Sequence, residues 1–268
     1  MSKITVSELN IYPVKSMAGV SLPSARVDSL GLNHDRCWMV VNEQARFITQ
    51  RTHPRLALIH VELQDDGLIL RTEGKADLRV DLTAMGEKMK VSVWEDVVEA
   101  SAADPDAHWW LSEVLGEPCK LVRFSQDQVR QVDLDYARVG DRTAFSDGFP
   151  ILLISQASLD DLNARLTDPL PMKRFRPNLV VDGTRPYEED QWRRIRIAGV
   201  EFRIVKPCSR CIVTTIDPAT GEQTGVEPLE TLATYRKQGG KVMFGQNVIP
   251  DGRGILQLGD EVTILETT

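Results

Sequence analysis

Residues 207–218, reading PCSRCIVTTIDP, constrain the fold of this chain more than any other stretch. Cys208 and Cys211 stand three residues apart between an apolar run at 200–205 and a β-branched run at 212–216. Both flanks read as strands, so the pair is predicted in a β context rather than at the start of a helix. Four readings of the pair are open on spacing alone. A thioredoxin-like redox pair requires a helix N-terminus within a βαβ pattern, which these flanks lack. A structural zinc requires two further ligands, whereas Cys37 and Cys119 are isolated and His34, His53, His60 and His108 form no ligand pair. The remaining two are cysteines packed at a barrel rim, and a single thiolate ligand to a soft cofactor metal. Arg210 beside Cys211 favours the thiolate.

The rest of the chain reads as many short strands with few helices. Hairpins are expected at 37–41 with 46–49, at 56–63 with 68–71, at 91–93 with 97–100, and at 192–197 with 200–205. Helices are expected at 106–115, stopped by Gly116 and Pro118, at 155–166, with Ser158 and Asp161 in capping-box spacing, and at 228–237. The fold class is therefore α+β, mostly β: a barrel-like first part followed by a closed or nearly closed β-barrel with peripheral helices. The polar stretch 124–134 sets the expected division, 1–124 and 125–268.

Charge narrows the partners. The net charge of −7 argues against nucleic-acid binding. Residues 173–210 carry ten basic and five acidic side chains, a balance of +5, which leaves −12 for the remainder. A basic segment in an acidic protein suits a small anionic ligand. No run of 18 apolar residues marks a membrane span. The N-terminal residues lack a signal-peptide core, and four cysteines without an export signal point to a reducing cytoplasm.

Several elements can grip an anion. Arg174-Phe175-Arg176-Pro177-Asn178 presents guanidinium forks on a stiffened turn. Tyr12-Pro13-Val14-Lys15-Ser16 sets a cation and a hydroxyl just after a strand, and Asp35-Arg36 just before another. Ser155 and Gln156 begin an expected helix, where free N–H groups favour negative charge. There is no Walker loop and no G-x-G-x-x-G.

IYPVKS, DRCWMVV, SQASLDDLNARL, FRPNLVV, CSRCIVTTIDPATG, EPLETL and FGQN occur in this order. Together they resemble MOSC-domain molybdenum proteins, nearest the group of the mitochondrial amidoxime-reducing component and the bacterial YcbX-type proteins. The resemblance spans nearly the whole chain. It implies an N-terminal barrel-like domain, a MOSC domain and a molybdenum cofactor (Mo-molybdopterin). It places the metal's protein ligand on Cys211 and cofactor contacts on Lys15, Ser16, Arg36, Ser155, Arg176, Asn178, Ser209 and Arg210. The activity implied is reduction of N-hydroxylated compounds, namely amidoximes, hydroxylamines or N-hydroxylated bases. Asp147, in FSDGFP, is a candidate supporting or proton-relay group. Some YcbX-type relatives continue into a ferredoxin domain, whereas this chain holds no iron–sulfur cysteine set. Its electrons are then expected from a separate protein of ferredoxin, flavodoxin, flavin-reductase or cytochrome type. MOSC domains also occur in cofactor sulfurases, so a cofactor-carrier or sulfur-transfer role is the alternative.

Overall fold

The computed structural model describes residues 3–268 except Ala84 and Gln126. The first part of the chain forms strands β1 (Thr5–Ile11), β2 (Val20–Ser21), β3 (Ser24–Asp28), β4 (Gly31–Leu32), β5 (Trp38–Asn42), β6 (His60–Gln64), β7 (Gly67–Arg71), β8 (Leu78–Asp81), β9 (Lys88–Val93) and β10 (Asp96–Ala102), then helix α1 (Pro105–Leu115) and β11 (Cys119–Phe124). The second part forms β12 (Ile151–Ser155), α2 (Gln156–Asn163), β13 (Leu179–Asp182), β14 (Trp192–Ile197), β15 (Val200–Ser209), α3 (Leu229–Ala233), β16 (Lys237–Gln238), β17 (Lys241–Pro250), β18 (Gly254–Gln257) and β19 (Val262–Thr267).

The largest sheet runs β19-β14-β15-β17-β12-β13-β1-β2, with β16 against β17. Backbone bonds from Val6 N to Asp260 O, Gly259 N to Val6 O and Val262 N to Ile4 O bring the approach to β19 onto β1. The sheet thus curls into a barrel that β1 closes, which removes its open edges. Among the described residues its only parallel pair is β12 with β13, and a parallel pair requires a crossover, here the segment carrying α2. Val6, Leu9, Leu153, Val181, Ile195, Phe202 and Val248 fill the interior.

Smaller sheets β5-β11-β10-β9, β6-β7-β8 and β18-β3-β4 surround it. Helix α1 buries Ala107, Trp110 and Leu111 against the β6-β7-β8 cluster. Asp104 caps its first turn by accepting from Ala107 N, and Gly116, at φ 77°, ends it in the left-handed conformation. Strands from the two parts of the chain interleave. β1 pairs with β13, and β18 pairs with β3.

Five local expectations need correction. Residues 46–49 form no regular strand: the partner of β5 is β11, and the expected hairpin is reduced to the bridge Val41–Phe47 and the backbone bonds from Asn42 N to Arg46 O and from Ile48 N to Val40 O. The expected strand 56–63 is split, because Pro54–Leu58 forms a 3₁₀ turn before β6. The run after Cys211 is a 3₁₀ turn, Ile212–Thr215, rather than a strand. There the Thr214 and Thr215 hydroxyls donate to the carbonyls of Cys211 and Ile212, so β-branched residues are satisfied locally. Helix α2 is capped by Ser155, not Ser158, and α3 is shorter than the expected 228–237.

Candidate cofactor and catalytic site

A cavity of about 140 Å³ opens where the end of β15, the turn after β1, the loop before β12 and the turn before β13 converge. Cys208, Ser209, Arg210 and Cys211 enter it as β15 ends. Lys15 and Ser16 enter just beyond β1, where the Lys15 N–H bonds to Trp38 O. Arg36, Asp147 and Arg176 complete the expected residues in its wall. Five cationic side chains, of Lys15, Arg36, Arg51, Arg176 and Arg210, face one carboxylate, that of Asp147.

The backbone is strained here. Ser16 (φ 69°), Arg36 (φ 46°) and Arg176 (φ 56°) are left-handed, as is Trp94 (φ 56°), whose ring nitrogen donates to Asp147. Each such residue costs about 1–3 kcal/mol, and such strain persists where surrounding contacts over-determine it.

Those contacts are visible. The Arg36 Nη1 donates to Asp35 Oδ2 at 2.6 Å and to Asn178 Oδ1 at 3.1 Å. Arg36 and Arg176 stack on the Tyr12 ring at 4.5 and 4.1 Å. Burial pushes the Tyr12 hydroxyl up to about 12, against the pull of these two guanidiniums. Arg176 Nη1 donates to Met17 O at 2.7 Å, while its Nη2 is buried with no partner among the described residues. Burial lowers the Arg176 pKa to about 10, a sign of a cation short of counter-charge.

Lys15 is 5% exposed, and its Nζ donates to Phe145 O at 2.8 Å and Asp147 Oδ1 at 2.6 Å. Burial lowers its pKa, opposed by Asp147. For Asp147 desolvation acts upward, but Lys15, Arg51 and Arg36 outweigh it and hold the carboxyl well below its ordinary range. Its side chain is nevertheless 67% exposed, so solvent reaches the carboxylate.

Arg210 does not serve the cysteine beside it in sequence. Its Nη1 lies 3.0 Å from Cys208 Sγ and its Nη2 bonds to Phe175 O, leaving Nε buried without a partner among the described residues. The cation facing Cys211 is Arg51, whose Nη2 is 3.3 Å from Sγ. Nothing in the sequence near Arg51 pointed to this contact. No group of three or more His, Cys, Asp or Glu side chains able to hold a metal comes together among the described residues, so the zinc reading finds no ligand set. The redox-pair reading fails as well, since Cys208 lies in β15 and Cys211 precedes only a short 3₁₀ turn.

Two expected contacts lie outside the cavity wall. Ser155 is fully buried, and its hydroxyl is used in capping α2 through Ser158 N and in bonding the Ser158 hydroxyl. The anion at that helix start is the chain's own Glu189, whose Oε1 accepts from Ser155 N and the Ser158 hydroxyl. Asn178 stands behind the wall. Its Oδ1 receives Leu152 N and Arg36, and its Nδ2 donates to Asn10 O, so it fixes the guanidinium from the rear.

Comparison with known proteins agrees with this architecture. Residues 3–118 match the MOSC N-terminal beta barrel domain and residues 140–263 match the MOSC domain. The chain is 36% identical to mitochondrial amidoxime-reducing component 1 of Mus musculus over 97% of its own length and 82% of that protein. It is 37% identical to mitochondrial amidoxime reducing component 2 of Bos taurus over 87% and 72%. A molybdenum cofactor sulfurase of Oryza sativa subsp. japonica is 33% identical over 91% of this chain, which spans 32% of that longer protein. Both domains match in order, and the amidoxime-reducing relatives align with the chain over most of their own length: the chain belongs to the MOSC family.

Proposed function

We propose that the protein is a molybdenum-cofactor-dependent reductase of N-hydroxylated compounds that draws its electrons from a separate redox protein. The observation that carries this reading is the convergence of Cys211 with five cations in one cavity. A molybdenum pterin brings a soft metal and an anionic phosphate, which call for a thiolate and for positive charge. The residues present fit both demands. Arg176 Nη2 and Arg210 Nε are buried without partners among the described residues, and an unmet buried donor costs about 1–3 kcal/mol, which an anionic ligand relieves. Cys211 would ligate the metal, with Arg51 beside its sulfur. Lys15, Ser16, Arg36, Arg176, Ser209 and Arg210 would hold the pterin and its phosphate, with Asn178 orienting Arg36.

The bound group supplies the two-electron removal of oxygen from an N–O bond. The balance is R–NHOH plus two electrons and two protons, giving R–NH₂ and water. At neutral pH Asp147 is ionised and has no proton to give. Its part is to fix the Lys15 ammonium, which carries protons and whose lowered pKa makes it the better donor of the two. The exposed carboxylate lets solvent recharge the pair.

The test is expression in a host that makes the cofactor. Purified protein should contain molybdenum and release a fluorescent pterin on oxidative denaturation. It should reduce an amidoxime with a reduced viologen but not with NADH alone. Cys211→Ala should abolish turnover, and Cys208→Ala should retain most of it. Protein that carries neither molybdenum nor pterin refutes the reading. Loaded protein that never turns over any N-hydroxylated substrate assigns the chain to the carrier alternative, which the sulfurase relative favours.

A further inference from the structure

A second cavity, also of about 140 Å³, adjoins the first and shares only Arg176 and Val213 with it. Lys173, Arg174 and Arg176 line it, together with polar groups of Asn10, Tyr12, Ser21, Gln50 and His60, and among the described residues no carboxylate does. The three cations come from one short stretch, the 3₁₀ turn Met172–Phe175 and the left-handed residue that ends it. Gln50 joins the two cavities through its bond to Ser16 O at 2.6 Å.

Arg174 is the unusual member. It is 6% exposed, yet only its Nη2 is engaged, with Asp217 Oδ2 at 3.2 Å and Thr224 Oγ1 at 3.4 Å. Its Nε and Nη1 are buried and have no partner among the described residues. Arg176 adds a third such nitrogen. Lys173 and Arg174 less the Asp217 carboxylate leave +1, and Arg176, on the wall shared with the first cavity, adds to it, which suits a phosphate anion.

We infer that this second cavity is an oxyanion site for a phosphate group, held by the Arg174 guanidinium with Arg176 and Lys173. The planar fork of arginine matches phosphate geometry, and the three idle N–H-bearing nitrogens are the donors such a ligand would engage. The site takes either inorganic phosphate or the phosphoryl end of a phosphate monoester. It stands apart from the proposed metal chemistry, because neither Cys211 nor Lys15 lines it.

Calorimetric titration of the full-length protein with inorganic phosphate, and separately with cytidine monophosphate, tests the inference. One phosphate should bind per chain. Arg174→Lys keeps a cation for Asp217 but deletes the fork, and should weaken binding about tenfold, the loss of a charge-assisted hydrogen bond. Lys173→Gln, at an exposed position that folding does not depend on, should weaken it about threefold. Arg51→Gln and Arg210→Gln, which change cations of the first cavity alone, should bind phosphate as the wild type does, which separates the two cavities. Equal affinity for both probes identifies a free-phosphate site, and tighter binding of the monoester identifies the end of a larger ligand. Absence of binding to the wild type, or unchanged affinity in both Arg174→Lys and Lys173→Gln, overturns the inference.

Discussion

The pairing of Lys15 with Asp147 ties a buried ammonium to a carboxylate that solvent reaches. The Asp147 pKa is depressed in the folded protein, so its stabilisation is complete above the unfolded value of 3.8 and is lost as pH falls toward the folded value. Asp147→Asn should therefore lower stability by about 1 kcal/mol at pH 7, a figure already reduced for solvent screening. The gap between variant and wild type should narrow near pH 3. Urea unfolding midpoints at the two pH values check this, and an equal gap at both would mean that charge pairing is not its source. At this scale the sequence is legible where a charged residue abuts a strand end or a proline, as with Lys15, Arg36 and Arg176. It is silent on Arg51, because the contact with Cys211 joins residues 160 positions apart and exists only once the chain has folded. The same holds for Trp94, brought over Asp147 from the β9–β10 turn.

Among the elements, the start of α2 separates a general expectation from a particular outcome. Helix N-termini attract anions, and here a side chain of the protein takes that place. Glu189 is 1% exposed, and burial pushes its pKa up against the bonds from Ser158 and Ser155. Ser155→Ala should cost about 1 kcal/mol of stability through the lost cap and leave the molybdenum-to-protein ratio unchanged. A fall in metal content with the fold intact would place Ser155 in the cofactor site after all. Most strands and helix α1 could be read from alternation, from helical spacing and from Gly116. The turn after Cys211 could not, because a β-branched run reads as a strand whenever its hydroxyls' local carbonyl partners are out of view.

At the scale of the molecule, the mostly β architecture follows from the strand pattern, but the interleaving does not, since nothing in residues 5–11 names residues 179–182 as their partners. Fragments 1–124 and 125–268, made separately, should fail to give sharp near-ultraviolet circular dichroism, because each leaves a sheet edge bare. Mixing them during refolding should restore it, and a fragment that folds alone would contradict the interleaved topology. The closure by β1 also bears on how the protein is made. During vectorial synthesis β1 leaves the ribosome long before β13 and the approach to β19 exist. The nascent chain must therefore carry this strand, with Val6, Leu9 and Ile11 uncovered, paired with β2 alone, a natural client for a holdase. The cavity draws on residues 15–16 and 208–211 alike, so loading of any cofactor is a post-translational event that acts on a nearly finished barrel.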